Sequence, residues 1–335
     1  MDDADQVFSH QVQIVRKLAE KFDEITVITG RVGDLRVPAN VKVLTTNWKP
    51  NSRFLSSIRF LKVFNRTILK NRDLTIFSHM TEVQSSFVAP LTWALRIPHY
   101  LWYAHVSPSI YLKWSHFWIN GVITSTVGSC PIESKKINAI GQSVDPNQFL
   151  EIKRKTRERN KFLHIGRFDV SKNIPEIIEV LVTEREANPK IELTIIGSPS
   201  SKENALKAEE VVSANSKHIG AGWLKFLPYV KRDDLPKILG DSDLFIHAFV
   251  GSLDKTLIEA TMVGIPVVTV NNEYLVEFGS WSGSKTRTSL KQELDAFMLV
   301  SDKEVDSIQG ARREIALERH SLDAWINKLY KILCR

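Results

Sequence analysis

The stretch Phe162-Leu-His-Ile-Gly-Arg-Phe-Asp-Val-Ser-Lys172 has the pattern of a buried strand that ends at Gly166 and places two cations just beyond it. A second stretch, Leu257-Ile-Glu-Ala-Thr-Met-Val-Gly-Ile-Pro-Val-Val268, predicts a helix start carrying Glu259, a turn and another strand. In doubly wound parallel sheets, ligands bind at the carboxyl ends of the strands. Two cations and a carboxylate at that edge suit a nucleoside diphosphate, because cations neutralise phosphates and a carboxylate accepts from ribose hydroxyls.

These stretches resemble the nucleotide-sugar-binding domain of the retaining glycosyltransferases of the GT-B fold, family four. The matching motifs of the second half are Gly166-Arg167 with Lys172, Phe226-Leu-Pro-Tyr-Val230, Asp233-Asp-Leu-Pro236, Asp241-Ser-Asp-Leu-Phe-Ile246 and Glu259 to Val268. The first half adds Trp102-Tyr-Ala-His105 and Ile140-Gly-Gln-Ser-Val-Asp145. Each motif alone is weak, and the shared order of the motifs carries the resemblance.

The resemblance implies an α/β protein of GT-B fold, with two Rossmann-like doubly wound parallel-sheet domains facing a cleft. Alternating strand and helix patterns in both halves favour parallel sheets independently of it. We expect an acceptor-side domain over residues 1–150 and a nucleotide-sugar-binding domain over residues 151–320. The charged stretch Glu151–Asn160 is predicted to be the linker. A final helix over residues 321–335 is expected to pack back on the first domain.

The beginning of the chain departs from the family pattern. Gln11–Glu20 predicts a helix and Ile25–Thr29 a buried strand. Family members begin with a strand and a glycine-containing loop before that helix, whereas this sequence begins where the loop should end. We therefore expect either a truncated start or a first domain whose sheet lacks its first strand.

The resemblance implies catalytic roles for His105, Arg167 and Lys172. The two cations would stabilise the negative charge that grows on the leaving nucleoside diphosphate. They would do so in place of a metal ion, so neither a metal nor another cofactor is expected. Glu259 is expected on the ribose hydroxyls. The donor-binding residues implied by the resemblance are Gly166, Gly197, Tyr229, Val230, Gly251, Ser252, Asp254, Lys255, Thr256 and Glu259.

One donor-site position differs clearly from the family. A second glutamate usually contacts the donor sugar eight residues before the first, and this sequence has Gly251 there. Asp254, Lys255 or the backbone amides of Lys255 and Thr256 could take over. The amides would form an anion site at a helix amino terminus. Asp254 is equally well explained as a helix N-cap.

Structural alternatives remain open for the other polar residues. Arg167 and Lys172 could be a solvated loop pair, and Glu259 a first-turn glutamate favoured by the helix dipole. His105 follows a strand, where a lone histidine is more often structural than functional, and His79 is similarly placed. Two other histidines, His164 and His247, lie inside predicted strands, and we expect both to belong to the core.

Composition excludes several classes of protein. The 335 residues are 43% hydrophobic and 25% charged, which is ordinary for a globular chain of two domains. No apolar run approaches the roughly 18 residues that span a bilayer. No signal peptide is visible, and two cysteines give neither a disulfide framework nor a metal site. We expect a cytoplasmic location.

Positive charge is concentrated in the first half. Residues 1–150 contain 17 Lys and Arg against 11 Asp and Glu, although the net charge of the whole chain is +7. Residues 49–72 contain no acid and predict an amphipathic helix whose basic stripe is Arg59, Lys62, Arg66 and Lys70. The stripe could simply face water above an apolar face of Phe54, Ile58, Leu61, Phe64 and Ile68. Alternatively, it could attach the protein to the inner face of the plasma membrane, since anionic lipid attracts basic residues.

The sequence therefore predicts a retaining glycosyltransferase that moves a sugar from a UDP- or GDP-sugar to a glycan or lipid-linked acceptor. The resemblance favours a role in cell-surface polysaccharide or lipopolysaccharide assembly. One alternative is a catalytically impaired nucleotide-sugar-binding or scaffold protein, which Gly251 would explain. A second alternative is a basic peripheral membrane or nucleic-acid-binding protein. Nucleic acid is the less favoured partner because no nucleic-acid motif accompanies the charge.

Overall fold

A computed structural model describes residues 1–2, 9–71, 73–152, 158–284 and 288–335 of the chain. The chain forms two compact units, of which the first comprises Met1–Ser143 with Leu322–Arg335 and the second Val144–Ser321. The division falls seven residues before the predicted one because Val144 and Phe149 are fully buried in a core cluster of the second unit. Residues 153–157 of the predicted linker lie outside the described residues.

The first unit alternates strands and helices. Its helices are α1 (Ser9–Ala19), α2 (Arg53–Lys70), α3 (Glu82–Ala94) and α4 (Ile110–Trp118). Its strands are β1 (Ile25–Thr29), β2 (Val41–Thr45), β3 (Ile76–His79), β4 (His99–Trp102), β5 (Gly121–Thr124) and β6 (Ile137–Ala139). All strand pairs are parallel, as the alternation predicted.

The described strands of the first unit form two sheets rather than one. β1 pairs with β2, and β3 to β6 form a four-stranded sheet in that order. Among the described strands, β1 pairs only with β2, and β3 pairs only with β4. Every residue of β1 and β3 is half-buried, whereas β4 and β5 are buried throughout. Each of β1 and β3 therefore has a described partner strand on one side only.

The last helix of the chain belongs to the first unit. Its apolar face includes Trp325 and Leu329, which pack with Ile14 of α1 and Trp102 of β4. The hydroxyl of Thr75 also donates to the carbonyl of Leu333.

The second unit shows the same alternation of strands and helices. Its strands are β7 (Lys161–Ile165), β8 (Glu192–Ile196), β9 (Leu224–Leu227), β10 (Leu244–His247) and β11 (Val267–Thr269). Its helices are α5 (Ile174–Ala187), α6 (Lys202–Ala214), α7 (Ser216–Gly220), α8 (Leu235–Gly240), α9 (Lys255–Val263), α10 (Asn272–Phe278), α11 (Leu290–Leu299) and α12 (Asp302–His320). The last helix, Leu322–Leu333, is α13.

The five strands of the second unit form one parallel sheet in the order β11-β10-β7-β8-β9. Two core clusters contain alternate residues of its strands, as expected for a sheet covered on both faces. Phe162 of β7 belongs to one cluster and Leu163 to the other. No described helix in either unit is both long enough and apolar enough to cross a membrane.

Candidate functional site

The strand order of the second unit has one topological switch point. From β7 the chain continues outward through β8 and β9, whereas β10 and β11 lie on the other side of β7. The segments that leave β7 and β10 at their carboxyl ends therefore diverge and leave a crevice between them. Gly166–Lys172 follows β7, and Phe249–Asp254 follows β10. The topology thus brings the two sequence motifs together.

Glycines allow the backbone to pack closely at this edge. A Cβ atom on Gly197, at the end of β8, would lie 1.8 Å from the carbonyl oxygen of Gly166. A Cβ atom on Gly251 would lie 2.0 Å from the ring of Phe249. No side chain fits at either position without displacing its neighbour. Gly251 therefore has a packing role of its own, besides standing where the family has a glutamate.

Lys172 and Asp254 form an ion pair through Nζ and Oδ2. Lys172 is only 6% exposed, and its Nζ also lies 3.9 Å from the centre of the Phe249 ring. A cation over an aromatic face in a desolvated site is stabilised by the ring quadrupole. Asp254 is also the N-cap of α9, since its Oδ1 accepts from the Thr256 amide at 3.4 Å. Both carboxylate oxygens of Asp254 therefore have partners, Oδ2 in Lys172 and Oδ1 in the Thr256 amide.

The imidazole of His247 contacts the carboxylate of Asp254. Its Nε2 lies 3.3 Å from Asp254 Oδ2, and its Nδ1 lies 3.3 Å from the hydroxyl of Thr269. A carboxylate only accepts, so Nε2 carries the proton and Nδ1 accepts from Thr269. Burial lowers the pKa of His247, against the opposing effect of Asp254, and the imidazole is neutral. Burial by itself would raise the pKa of Asp254, but Lys172 and His247 outweigh it and hold that pKa well below its ordinary value.

A second buried ion pair joins Arg232 to Glu259. The Nη2 of Arg232 donates to Glu259 Oε1 at 2.7 Å, and Glu259 is only 3% exposed. The guanidinium also lies 5.4 Å from the centre of the Phe149 ring. Burial opposes the charge on Arg232, but Glu259 outweighs burial and raises the Arg232 pKa. Glu259 thus already has a cationic partner in the position where a ribose contact was predicted.

Arg167 lies at the surface. Its side chain is 61% exposed and its Nη1 is 3.2 Å from Asp169 Oδ2. Asp169 in turn accepts from the amide and the hydroxyl of Ser200 at 3.0 and 2.7 Å. Because the Arg167 guanidinium is exposed and its ion pair with Asp169 involves only Nη1, it remains able to reorient toward an anion.

Lys255 and Thr256 differ from the other polar residues of the site. Within the described part of the chain, Lys255 Nζ and Thr256 Oγ1 are buried and make no hydrogen bond. Both residues open α9, where backbone amides point outward and favour an anion. Burial, and then the charge of Arg232, lowers the pKa of Lys255 to about 7, although Glu259 acts against this. Buried polar groups without partners are rare, and two adjacent ones indicate a place for a polar ligand.

The charges around the switch point nearly cancel. Lys172 is paired with Asp254, Arg167 with Asp169, and Arg232 with Glu259. Among the residues that the structure describes there, Lys255 is the cation without a hydrogen-bonded carboxylate. The sequence pattern drew attention to Arg167 and Lys172, whereas the structure shows that, among the described residues, Lys255 is the one of these three whose amino group is buried without a hydrogen-bond partner.

The remaining predicted donor residues lie at the same sheet edge. Tyr229 and Val230 follow β9 and are half-buried. Ser252 is buried, and its carbonyl accepts from Asn271 Nδ2 at 3.1 Å. The same amide nitrogen of Asn271 donates to the carbonyls of Phe249 and Gly251 at 3.0 and 3.1 Å, so one side chain fixes the segment after β10.

The predicted residues of the first unit are placed as follows. His105 is exposed after β4, with its ring 5.6 Å from that of Tyr103. His79 ends β3 and is half-buried beside Trp102 and Trp325. The basic residues Arg59, Lys62, Arg66 and Lys70 are all exposed on α2. Of its predicted apolar face, Phe64 and Ile68 are buried, but Phe54 and Ile58 are exposed. The apolar face of this helix is therefore buried toward its carboxyl end and exposed in its first two turns.

Sequence reasoning missed Arg232, Phe249, Asn271 and the role of His247. Arg232 closely follows the Tyr229-Val230 motif, which could have drawn attention to it. His247 and Asn271 lie at strand ends near the motif, but nothing in their spacing shows which groups they contact. Among the described residues, no group of three or more His, Cys, Asp or Glu side chains is placed to hold a metal ion.

Comparison with solved structures shows the same fold across the chain. Anabaena HepE, solved in complex with UDP and glucose, has a TM-score of 0.71 and 16% identity, covering 99% of this chain and 98% of that chain. Sucrose-phosphate synthase from Thermosynechococcus elongatus has a TM-score of 0.73 and 12% identity, covering 97% and 92%. A glycosyltransferase from Rickettsia africae has a TM-score of 0.70 and 14% identity, covering 100% and 97%. Among curated proteins, no sequence matches this chain.

The fold is therefore that of a GT-B glycosyltransferase with two Rossmann-like units, as the sequence predicted. Residues 147–279, most of the second unit, match the family of glycosyl transferases group 1. This match confirms a group 1 glycosyltransferase domain in the second unit, and the chain is a glycosyltransferase, EC 2.4.

Proposed function

We propose that the chain binds a nucleotide-sugar at the carboxyl edge of the second unit's sheet and transfers the sugar with retention of anomeric configuration. The main support is the pair of buried, unpartnered groups at the start of α9, Lys255 Nζ and Thr256 Oγ1. They lie beside the segments that carry Lys172 and Asp254, in a domain of the glycosyl transferases group 1. A diphosphate offers the acceptor oxygens and the negative charge that these groups lack.

In the proposed reaction, the bond between the anomeric carbon and the diphosphate oxygen breaks, and a bond to an acceptor hydroxyl oxygen forms on the same face of the sugar. The acceptor hydroxyl passes its proton to the departing diphosphate oxygen. Negative charge develops on the leaving nucleoside diphosphate. Lys255, the α9 amides and Arg167 would stabilise that charge, and such fixed electrostatic stabilisation is usually the largest contribution to catalysis.

Asp254 is proposed to act through Lys172 rather than as a direct ligand of the sugar. Its two oxygens hold Lys172, His247 and the amide of Thr256. Removing its carboxylate would release the ammonium of Lys172 and the first turn of α9 together. Gly251 and Asp254 therefore fix the positions of the neighbouring cation and amides.

Glu259 is proposed to accept from the ribose hydroxyls, with Arg232 holding its carboxylate in place. A nucleotide lacking one hydroxyl tests this proposal. The wild-type protein should bind UDP or GDP more tightly than the corresponding 2′-deoxy nucleotide, and Glu259→Gln should reduce that difference. The same preference in the variant as in the wild type would place Glu259 in a purely structural role.

The acceptor is proposed to be a glycan or a lipid-linked sugar of cell-surface polysaccharide assembly, with His105 as a contact to the donor sugar. We also propose that no metal ion is required. The decisive experiment is a thermal-shift screen of UDP- and GDP-sugars with and without EDTA, because a ligand that binds only the folded state raises the apparent stability. Turnover of the best donor, with the anomeric configuration of the product read by NMR, follows.

Three outcomes would count against the proposal. The absence of a thermal shift with every donor would remove nucleotide-sugar binding. Binding without turnover would favour a nucleotide-sugar-binding scaffold. Loss of activity in EDTA that a divalent ion restores would show that the cations do not act alone.

A further inference from the structure

Helices α3 and α4 carry a cluster of large apolar side chains that face outward. We call it the aromatic patch and define it as Phe87, Leu91, Trp93, Ile110, Trp114 and Phe117. Ile110 is 77% exposed, Phe117 70% and Trp93 60%. Single exposed apolar residues are normal, but contiguous exposed patches mark interaction sites.

The helical spacing explains why the α4 residues point outward together. Ile110, Trp114 and Phe117 follow the i, i+4, i+7 spacing of one helix face, while Leu112 and Ser115 on the other side are fully buried. The buried face is used for packing within the unit, so the opposite face is left exposed.

Ring contacts make the patch continuous across the two helices. The ring of Trp118 lies 5.2 Å from that of Trp93, 4.8 Å from Phe117 and 5.7 Å from Trp114. The indole Nε1 of Trp114 donates to the carbonyl of Ser86 at 3.1 Å, which ties α4 to α3. The rings are thereby held in fixed positions and do not need to be ordered on binding.

The part of the sequence that contains the patch is rich in positive charge. Residues 49–140 contain eleven Lys and Arg against three Asp and Glu. Beside the patch is a cavity of about 470 Å³ whose lining includes Trp93, Phe117, Arg96 and Lys136. Lys136 caps the end of α4, because its Nζ donates to the carbonyls of His116, Phe117 and Ile119 at 3.0, 3.4 and 2.9 Å. Its ammonium is therefore already engaged, and Arg96 and Lys113 are the exposed cations of the turn after α3 and of α4.

We infer that the aromatic patch inserts into the interface of an anionic membrane, with the exposed side chains of Arg96 and Lys113 facing the lipid headgroups. Trp and other amphipathic rings favour the membrane–water interface, and juxtaposed Lys and Arg are attracted to anionic lipid. A second copy of the chain is the less suitable occupant, because self-association through this face would bring two basic surfaces together. The inference concerns the first unit and does not depend on donor binding by the second.

Vesicle sedimentation of the full chain tests the inference. The wild-type protein should bind vesicles of phosphatidylglycerol mixed with phosphatidylcholine, and bind vesicles of phosphatidylcholine alone much more weakly. The double variant Trp114→Ser with Phe117→Ser should lower partitioning to the mixed vesicles by at least about tenfold, since full burial of one such side chain is worth roughly that factor or more. Trp114→Ser also removes the hydrogen bond from the indole to Ser86, so circular dichroism must show that the double variant is folded. Phe117→Ser alone, at a position that is 70% exposed, keeps that bond and should weaken partitioning in the same direction.

The second unit offers a matched control. Val276 and Leu299 are 79% and 88% exposed, and Val276→Ser with Leu299→Ser removes comparable exposed apolar groups from the second unit. This control should leave vesicle binding unchanged. Brominated lipid should quench tryptophan fluorescence of the wild-type protein and less so that of the Trp114→Ser, Phe117→Ser variant.

The α2 helix is tested in the same assay. Replacing Arg59, Lys62 and Arg66 with Gln should weaken binding to the mixed vesicles if the basic stripe adds to the attraction, and should leave the quenching depth unchanged. Equal sedimentation of the wild-type protein and the patch variant would overturn the inference, as would equal affinity for neutral and anionic vesicles. A dimer that the patch variant abolishes, with no vesicle binding by the wild type, would assign the patch to a second copy instead.

Discussion

Lys172 Nζ and Asp254 Oδ2 form a buried ion pair that connects the segment after β7 to the N-cap residue of α9. The two residues are 82 positions apart in the chain, and the adjacency of β7 and β10 brings them together. Because Phe249 covers the ammonium and His247 supports the carboxylate, the pair is held from both sides. The pair therefore links the position of a cation to the cap of the helix whose amides we propose bind the diphosphate.

The first prediction concerns the stability of this pair. Asp254→Asn should lower the free energy of unfolding by about 3–5 kcal/mol, because it leaves the Lys172 charge buried without its partner. The double variant Lys172→Met with Asp254→Asn should recover part of that loss, since no charge is then stranded. Urea denaturation measures both. Additive losses in the double variant would contradict a direct coupling between the two residues.

The second prediction concerns Gly251. A methyl group there would overlap the Phe249 ring, which covers Lys172. Gly251→Ala should therefore weaken donor binding, and Gly251→Glu should weaken it more, rather than restore a family-like site. Phe249→Leu should reduce the effect of Gly251→Ala, because it removes the clashing ring. Calorimetric titration with the preferred nucleotide-sugar is the measurement, and wild-type affinity in both glycine variants would show that the segment readily accommodates the added atoms.

The third prediction concerns pH and Lys255. Its pKa is lowered to about 7 by burial, so the free site is increasingly neutral above that pH. An anionic diphosphate favours the protonated form, so binding should take up as much as about one proton near pH 8, and affinity should fall as pH rises. A nucleotide-sugar is the appropriate ligand because its diphosphate is esterified at both ends and does not titrate there. Calorimetry in buffers of different ionisation enthalpy reports the proton uptake.

Lys255→Arg provides the control for that experiment. Arginine stays protonated, so the variant should still bind the donor but lose the proton uptake. Lys255→Met should lose both affinity and proton uptake. Proton uptake that persists in the arginine variant would assign the titration to another group.

The fourth prediction concerns acid unfolding. Burial lowers the pKa of His99 to about 4 and that of His164 to about 3, so both are neutral in the folded protein at pH values where the unfolded chain binds protons. Below about pH 6.5 the unfolded state therefore gains protons that the folded state does not. Stability should fall as pH decreases, by up to about 1.4 kcal/mol per pH unit for each histidine, until the folded-state pKa is reached. The slope of unfolding free energy against pH should be smaller in His99→Asn and in His164→Leu.

The fifth prediction concerns the two sheets of the first unit. β1 and β3 are half-buried and each has one described partner strand, whereas β7 lies between β10 and β8. The amides of Ile25–Thr29 and Ile76–His79 should therefore exchange with solvent faster than those of Lys161–Ile165. Hydrogen exchange with mass spectrometric readout measures this. Equal protection in the three strands would mean that the backbone amides of β1 and β3 are shielded from solvent as well as those of a central strand.

Much of the fold was predictable from the sequence, because local patterns determine where elements begin and end. The strand Ile25–Thr29 was predicted with the bounds that the structure has, and the strand predicted to run from Phe162 to Gly166 is β7, Lys161–Ile165. They are short apolar runs bounded by polar or turn residues, which is the pattern of a buried strand. The sequence did not predict α12, because its 19 residues are mostly polar and show only a weak apolar face. It also placed the division between the units at residue 150, because the burial of Val144 and Phe149 depends on the packing of the second unit.

The sequence by itself determined the class of the protein and the sheet edge at which its motifs meet, since motif order and strand pattern are properties of the chain alone. Only the tertiary structure determined which charged side chains form ion pairs with one another. Lys172 meets Asp254, and Arg232 meets Glu259, across strands that are neighbours in space but distant in sequence. Lys255 is left without such a carboxylate among the described residues of the site. Burial makes this distinction matter, because a cation removed from water interacts strongly with the few groups that contact it, and sequence spacing does not show which groups those are.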